Sequence, residues 1–423
     1  MAFRLVQSSP PFTTLRSVTL RPDQPAACPF PAGPLGAPPD ELDRRRREDP
    51  LGTVTMPSGD VARLVVRYDD VRQVLSDPRF TRELHGGDAP RFLPGVDFTT
   101  TEPDLLINVD GSRHQRLRRI AARAFSQAHV EGWKPRVEQI VDELIDQLID
   151  HGPKADFVQQ FAMPLSASVM CELLGVPKDG HERLNTGARA LFTVARNEAE
   201  TSLVRSQIEA YTQYVEEIIE VARDTSGTSL VHDLIAARDG ADSLTKPELV
   251  NMVLMLITGG LATTSNIMTR AVVTLLGLPG LYRSMATAPR EGVEAVVEEL
   301  LRRHSVALST VRVAKEEVEL ASGAVHAGEA VLASVEAANH DPTVFTRPAV
   351  CDPSRYVDRT AERHLAFGHG PHFCLGANLA RLEFRLSLVA LARRLPGLRL
   401  DVNPEDITWG VFMRSPETLP VRW

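Results

Sequence analysis

In the run Phe367 to Gly376, FGHGPHFCLG, one cysteine lies in a glycine-rich loop just ahead of an apolar helical pattern. Cys374 could there serve as a thiolate ligand to a haem iron. Gly368 and Gly370 can take backbone angles closed to other residues, and Gly376 lets another group approach the main chain, clearance that a bulky planar cofactor needs. Downstream, Leu379, Leu382, Leu386 and Ala390 recur at helical spacing. The cysteine thus stands at a helix N-terminus, where amide dipoles favour thiolate over thiol. Phe367 can cover the sulfur from water, and nearby amides can tune a bound metal. Taken alone, the cysteine also suits a buried structural role.

Three other constellations could carry or support chemistry. In DGSRHQRLRRIAARAF, Asp110 to Phe125, His114 and Arg118 share one helical face. They could grip a carboxylate, the arginine through its planar fork of donors; a solvated arginine-rich face is the plainer alternative. In VEAVVEELLRRHS, Glu299 and Arg302 are three residues apart, and such a pair must be mutually satisfied if buried. Finally, Thr245 and Glu248 form a capping box, with Pro247 in the first turn, ahead of the long apolar stretch PELVNMVLMLITGGLATTSNIMTRAVVTLLG. Asn251, Thr258, Thr263 to Asn266 and Arg270 make this a buried core helix in place of a membrane span. Gly259 and Gly260 are poor helix formers, so a local opening of the hydrogen-bond ladder is expected there, where oxygen and water could reach carbonyls.

The elements that must position these residues are mainly helical. Apolar residues recur every three or four positions in VEQIVDELIDQLIDH and YTQYVEEIIEVARD, while ARLVVRY and the segments around 311 to 334 read as strands. Residues 1–39 are proline-rich and are expected to wrap the surface without regular structure, leaving 40–423 as one domain. With 423 residues and 43% hydrophobic side chains there is material for a large core. A net charge of -8 argues against a nucleic-acid binder. Only five residues are lysine, an arginine-rich bias that suggests a GC-rich bacterial genome. The four cysteines are too few and scattered for a disulfide framework, which fits a reducing cytoplasm, and the N-terminus has no apolar run suited to a signal peptide or membrane anchor.

The order Phe, Gly, x, Gly, x, His, x, Cys, x, Gly closely resembles the haem-binding signature of the cytochrome P450 family, and the order of motifs is similar from about residue 40 onward. The resemblance implies a mainly α fold with small β-sheets, with haem b between a long distal I helix and a proximal L helix, and Cys374 as the iron ligand. It places haem propionates against His114, Arg118, Arg312 and His372. It makes Glu299 and Arg302 the K-helix ion pair, closed by Arg355, and sets Thr263 in the oxygen-binding groove with Gly260. The implied activity is monooxygenation of a hydrophobic small molecule by O2. Electrons would come from NAD(P)H through a ferredoxin or flavodoxin-like donor and its reductase, docking near Arg113, Arg116, Arg119 and Arg123.

The sequence departs from the family pattern at Ala262, where an acid usually precedes the threonine and relays protons. Thr263, Thr264, Ser265 and water, or a polar group on the substrate, would have to carry that relay. Oxidative coupling, desaturation or ring closure is therefore an alternative outcome to hydroxylation or epoxidation. By resemblance the substrate pocket collects the loop from Glu83 to Asp104, Leu191 and Phe192, Leu256, the stretch Val306, Ala307 and Leu308 to Thr310, and Val411 and Phe412. This apolar set suits a hydrophobic ligand, and GC-rich bias suggests natural-product tailoring. A non-catalytic haem sensor would not need Thr263 or the glycine groove, and no Gly-x-Gly-x-x-Gly follows a strand to support a dehydrogenase.

Overall fold

The protein is described by a computed structural model covering residues 26–84, 90–92, 103–176, 180–190, 198–236, 238–239, 242–305, 308–357, 361–410 and 413–423. Its axis is the central helix Lys246–Leu276. Thr245 accepts from the Glu248 amide and the Glu248 carboxylate accepts from the Thr245 amide, with Pro247 in the first turn. These contacts satisfy donors that a bare helix start leaves unpaired. At 31 residues the helix is long and apolar enough to cross a membrane, yet 67% of its most apolar window is buried inside the protein. It is the core helix around which the others pack.

Helices Lys134–His151, Met163–Leu174, Glu198–Asp224, Arg290–Arg303 and Ala377–Arg394 surround it. In Lys134–His151 the buried positions Val137, Ile140, Val141, Leu144, Ile145 and Leu148 follow the helical period. They join Phe157, Phe161, Leu165, Met268, Leu300 and Leu388 in one large helical core. The central helix packs on both Met163–Leu174 and the helix that follows Cys374, so the two candidate faces of the site are braced by one core.

β-branched runs build a six-stranded sheet beside the helices. Its order is Ala26–Ala27, Thr53–Thr55, Val61–Val65, Ala330–Ala333, Thr310–Ala314 and Phe80–Thr81. Val331 pairs in parallel with Arg63 and antiparallel with Arg312, which fixes Arg312 on an inner strand. Three smaller sheets complete the β-structure among the described residues.

Two expectations differ from this fold. The N-terminal segment through residue 39 is not devoid of regular structure, because Ala26–Ala27 pairs in parallel with Val54 and Thr55, and Cys28 and Phe30 are buried. Backbone hydrogen bonding to an existing strand orders residues 26–27, next to the prolines that follow. Nor does the glycine pair break the central helix, which runs continuously from Lys246 to Leu276.

Candidate active site

The cysteine loop owes its shape to two glycines. Gly368 and Gly370 have φ of 74° and 70°, a region that side chains disfavour. A Cβ on Gly370 would lie 2.7 Å from the Leu75 carbonyl oxygen. The loop closes through the Cys374 amide, which donates to the Phe367 carbonyl at 2.8 Å. Gly376 is different: its φ is -82° and a Cβ there meets no protein atom within 4 Å. The main chain beside Cys374 therefore faces open space.

Cys374 is exposed by area, yet burial among protein atoms pushes its thiol up, against the Gly376 amide, Arg118 and Arg381, which pull it down. The two observations agree if the sulfur lines a recess. The helix start thus does not by itself deliver the expected thiolate; a cationic metal at the sulfur would, since a coordinating thiol is deprotonated outright. Phe367, expected to cover the sulfur, is buried, only 9% exposed. Arg381 lies over its ring at 4.6 Å from the centroid and is held by Glu298 at 2.6 and 2.9 Å, which also meets His364 at 3.1 Å. This proximal network has no local sequence signature, because Glu298 meets His364 and Arg381 across 66 and 83 residues.

An anion-seeking cluster borders the same recess. The His114 and His372 rings are 4.3 Å apart, Arg118 acts electrostatically on both His114 and Cys374, and Arg312 acts on His372. The structure thus brings His114, Arg118, Arg312, His372 and Cys374 together. Burial lowers His114 to about 4 and Arg312 to about 9, so His114 is neutral at pH 7 and Arg312 is costly to bury. Arg312 donates to Thr310 Oγ1 at 2.8 Å and to the Val311 carbonyl at 2.9 Å. Neither Arg118 nor Arg312 forms a carboxylate ion pair among the described residues. Two partly desolvated guanidiniums without a carboxylate fit an anionic group from outside the chain.

His372 is already engaged, its Nε2 2.8 Å from Asp110 Oδ1. Burial pushes the Asp110 carboxyl up, but hydrogen bonds from His372, the Arg82 amide and the Thr81 hydroxyl outweigh it and hold the group well below the usual range. Only the remaining ring nitrogen of His372 can address another anion. Of the other arginines on helix Gly111–Ala122, Arg113 pairs with Asp104 and Arg116 with Glu248, while Arg119 and Arg123 are exposed.

On the central helix Met255, Gly259, Ala262, Thr263 and Asn266 lie on one accessible face of an otherwise buried element. A Cβ on Gly259 would meet no atom within 4 Å, and the Thr263 hydroxyl donates to the Gly259 carbonyl. Gly260 answers a different need: a Cβ there would lie 2.4 Å from Met170 Sδ, so this glycine lets two helices approach. Thr264 and Ser265 are buried, and the Ser265 hydroxyl donates to the Ala262 carbonyl at 3.1 Å. Each successive helical residue turns through about 100°, which carries both away from Thr263, so neither lies on the expected relay face. Ala262 leaves that face without a carboxyl group.

Beneath the loop, Arg302 Nε and Nη2 donate to Glu299 at 2.8 Å each, and both side chains are 0% exposed. Arg302 also reaches the Asn339 and Pro348 carbonyls at 2.7 and 2.8 Å. Arg355 Nε stands 3.6 Å from Glu299 without a hydrogen bond; the Asp352 amide donates to Glu299 at 2.9 Å instead. Among the pocket candidates, Leu256 is buried in the central helix and Leu308 lines a small cavity with Ser309. Leu191, Phe192, Val306, Ala307, Val411 and Phe412 lie outside the described residues.

Comparison with known proteins agrees with this geometry. A family model described as Cytochrome P450 matches residues 290–418. Nocardicin C N-oxygenase of Nocardia uniformis subsp. tsuyamanensis is 39% identical over 385 residues, covering 89% of this chain and 94% of that protein. Mycinamicin IV hydroxylase/epoxidase of Micromonospora griseorubida is 38% identical, covering 89% and 93%. The crystal structure of the mycinamicin VIII methyl hydroxylase MycCI of Micromonospora griseorubida, bound to mycinamicin VIII, superposes with a TM-score of 0.84 at 30% identity, covering 94% of this chain and 100% of that one. At these identities and coverages the chain belongs to the cytochrome P450 family.

Proposed function

We propose that the chain is a cytoplasmic bacterial haem-thiolate monooxygenase that holds haem b through Cys374 and hydroxylates or epoxidises a hydrophobic small molecule of natural-product biosynthesis. The reading is carried by the recessed Cys374 beside Arg118, with Arg312 near His372, two arginines that form no carboxylate ion pair among the described residues. Haem, when bound, supplies the one-electron chemistry that activates dioxygen. Arg118, Arg312, His114 and the free nitrogen of His372 receive its propionates, with Asp110 orienting His372. Phe367, pinned by Arg381, keeps water from the sulfur. Electrons come from NAD(P)H through a ferredoxin or flavodoxin-like donor and its reductase, steered to the side where Arg119 and Arg123 are exposed. The relatives named for nocardicin C and mycinamicin IV support a natural product as substrate. A titration of nocardicin C, mycinamicin IV and other apolar natural products, followed by the Soret shift on binding and by NADH consumption with both partners, tests the proposal; a protein that incorporates haem yet consumes no NADH with any binding ligand would refute it.

The two loop glycines separate folding from cofactor binding. Gly370→Ala meets fixed backbone at a positive φ and should cost about 2 kcal/mol or more, read as a lower Tm. Gly376→Ala meets no protein atom, so it should leave the helical circular dichroism unchanged while haem content per polypeptide falls.

Ala262 favours a second reading of the outcome. The Thr263 hydroxyl proton is committed to the Gly259 carbonyl, which leaves its oxygen free to accept but gives it no acid behind it. Protons then arrive through water or a polar group of the substrate, so turnover depends on what is bound, and coupling, desaturation or ring closure stands as the alternative outcome. A positioned acid contributes about 10²-fold or more to proton transfer, so Ala262→Glu should raise the share of consumed NADH recovered as product or redirect the product. Unchanged coupling and products would dismiss substrate-assisted delivery.

A further inference from the structure

Seven residues beyond Thr263, about two helical turns, the central helix carries Arg270, which is 1% exposed. Its Nη1 donates to the Ser305 carbonyl at 3.0 Å and its Nη2 to the Gly36 carbonyl at 3.4 Å. Glu336, 2% exposed, attracts Arg270 electrostatically and accepts from Arg414 Nη1 at 2.5 Å. The Glu336 amide donates to the Leu308 carbonyl at 3.2 Å. Arg414, also 2% exposed, donates to the Phe30 carbonyl at 3.1 Å and holds a left-handed backbone with φ of 45°. Arg414 is thus paired with Glu336, Arg270 is attracted by the same carboxylate from farther off, and all three reach into separate chain segments.

The segment of Arg414 meets the accessible face of the central helix. Met413, adjacent to Arg414, receives a contact from Asn266 Nδ2 at 2.8 Å, and Asn266 is one turn beyond Thr263. Leu308 and Ser309 line a cavity of ≈ 20 Å³ together with Glu336 and Arg414. Glu336 Oε1 and Arg414 Nε have no hydrogen-bond partner among the described residues, so the cluster has slack on that side. A buried ionic network is costly unless its geometry is well determined, and its best-attested use is to specify one arrangement of the parts it joins.

We infer that Arg270, Glu336 and Arg414 are positioning residues that set how far Met413 reaches over the Thr263 face, and thereby discriminate among substrates by bulk. The inference rests on the proposed haem site, because that face must be the one opposite Cys374. Holoenzyme titrated with imidazole and with phenylimidazole reads it without turnover: both ligate iron from the distal side, and only the second fills the pocket. Glu336→Gln keeps the backbone bond to Leu308 and removes the charge. It should leave imidazole affinity within about twofold and change phenylimidazole affinity about tenfold, with the thiolate spectrum of the reduced carbon monoxide complex intact. An unchanged ratio of the two affinities in the folded variant would overturn the inference. If Glu336→Gln does not accumulate as holoenzyme, Met413→Ala, which removes the positioned side chain and spares the cluster, must shift the same ratio; no shift overturns the inference equally. If the wild-type holoprotein ligates neither azole, the distal-face reading itself is refuted.

Discussion

Cys374→Ala should leave a folded protein that has lost the absorption signature of thiolate ligation and more than about 10³-fold of its turnover, a transition-state loss of about 4 kcal/mol. Folding should persist because the loop is built by backbone: the Cys374 amide still reaches the Phe367 carbonyl, and Gly368 and Gly370 still make the turn. No other thiol can substitute. Burial pushes Cys28 and Cys171 up to about 12 and also raises Cys351, and none of the three stands at the recess beside Arg118. A thiolate is the electron-rich donor that favours oxygen–oxygen cleavage, so a serine hydroxyl in its place should restore neither spectrum nor turnover. The check is the reduced carbon monoxide spectrum alongside far-ultraviolet circular dichroism. A variant that keeps the thiolate band would remove Cys374 from the site.

What made this cysteine legible is that its loop is a short-range object: glycines at positive φ, a helix start and a covering phenylalanine all fall within ten residues. The capping box at Thr245 and the Glu299–Arg302 spacing are local in the same sense. The partners that complete the site are not. Asp110 holds His372 across 262 residues and Arg116 meets Glu248 across 132, pairings set by how helices dock. The glycine pair shows the limit within a single element. Sequence assigns Gly259 and Gly260 one reason, poor helix propensity, whereas packing gives them two: Gly259 borders open space and Gly260 admits Met170. Rotation of about 100° per residue likewise removes Thr264 and Ser265 from the face that Thr263 occupies. The short N-terminal strand carries almost no propensity signal, because its order comes from the edge it pairs with.

Arg302→Met should destabilise the protein by about 3–5 kcal/mol, the cost of leaving a buried carboxylate without its partner. That is a large fraction of a total stability of about 5–15 kcal/mol. The substitution strips Glu299 of two hydrogen bonds at 2.8 Å and leaves the Asn339 and Pro348 carbonyls without their donor. Asn339 transmits the damage, since its Oδ1 accepts from the Leu365 amide at 2.6 Å just before the cysteine loop, so haem retention should fall together with Tm. Glu299→Gln should cost less, because an amide oxygen can still accept from Arg302 and from the Asp352 amide. Arg355→Lys should cost least, as its Nε lies 3.6 Å from Glu299 and makes no hydrogen bond. Urea unfolding of the three variants orders these costs. A double-mutant cycle on Glu299 and Arg302 isolates their coupling: joint replacement by leucine should cost less than the sum of the single leucine replacements, since no lone charge remains buried. Strict additivity would mean that the two side chains are held by their separate backbone contacts and that the ion pair contributes nothing to the loop above it.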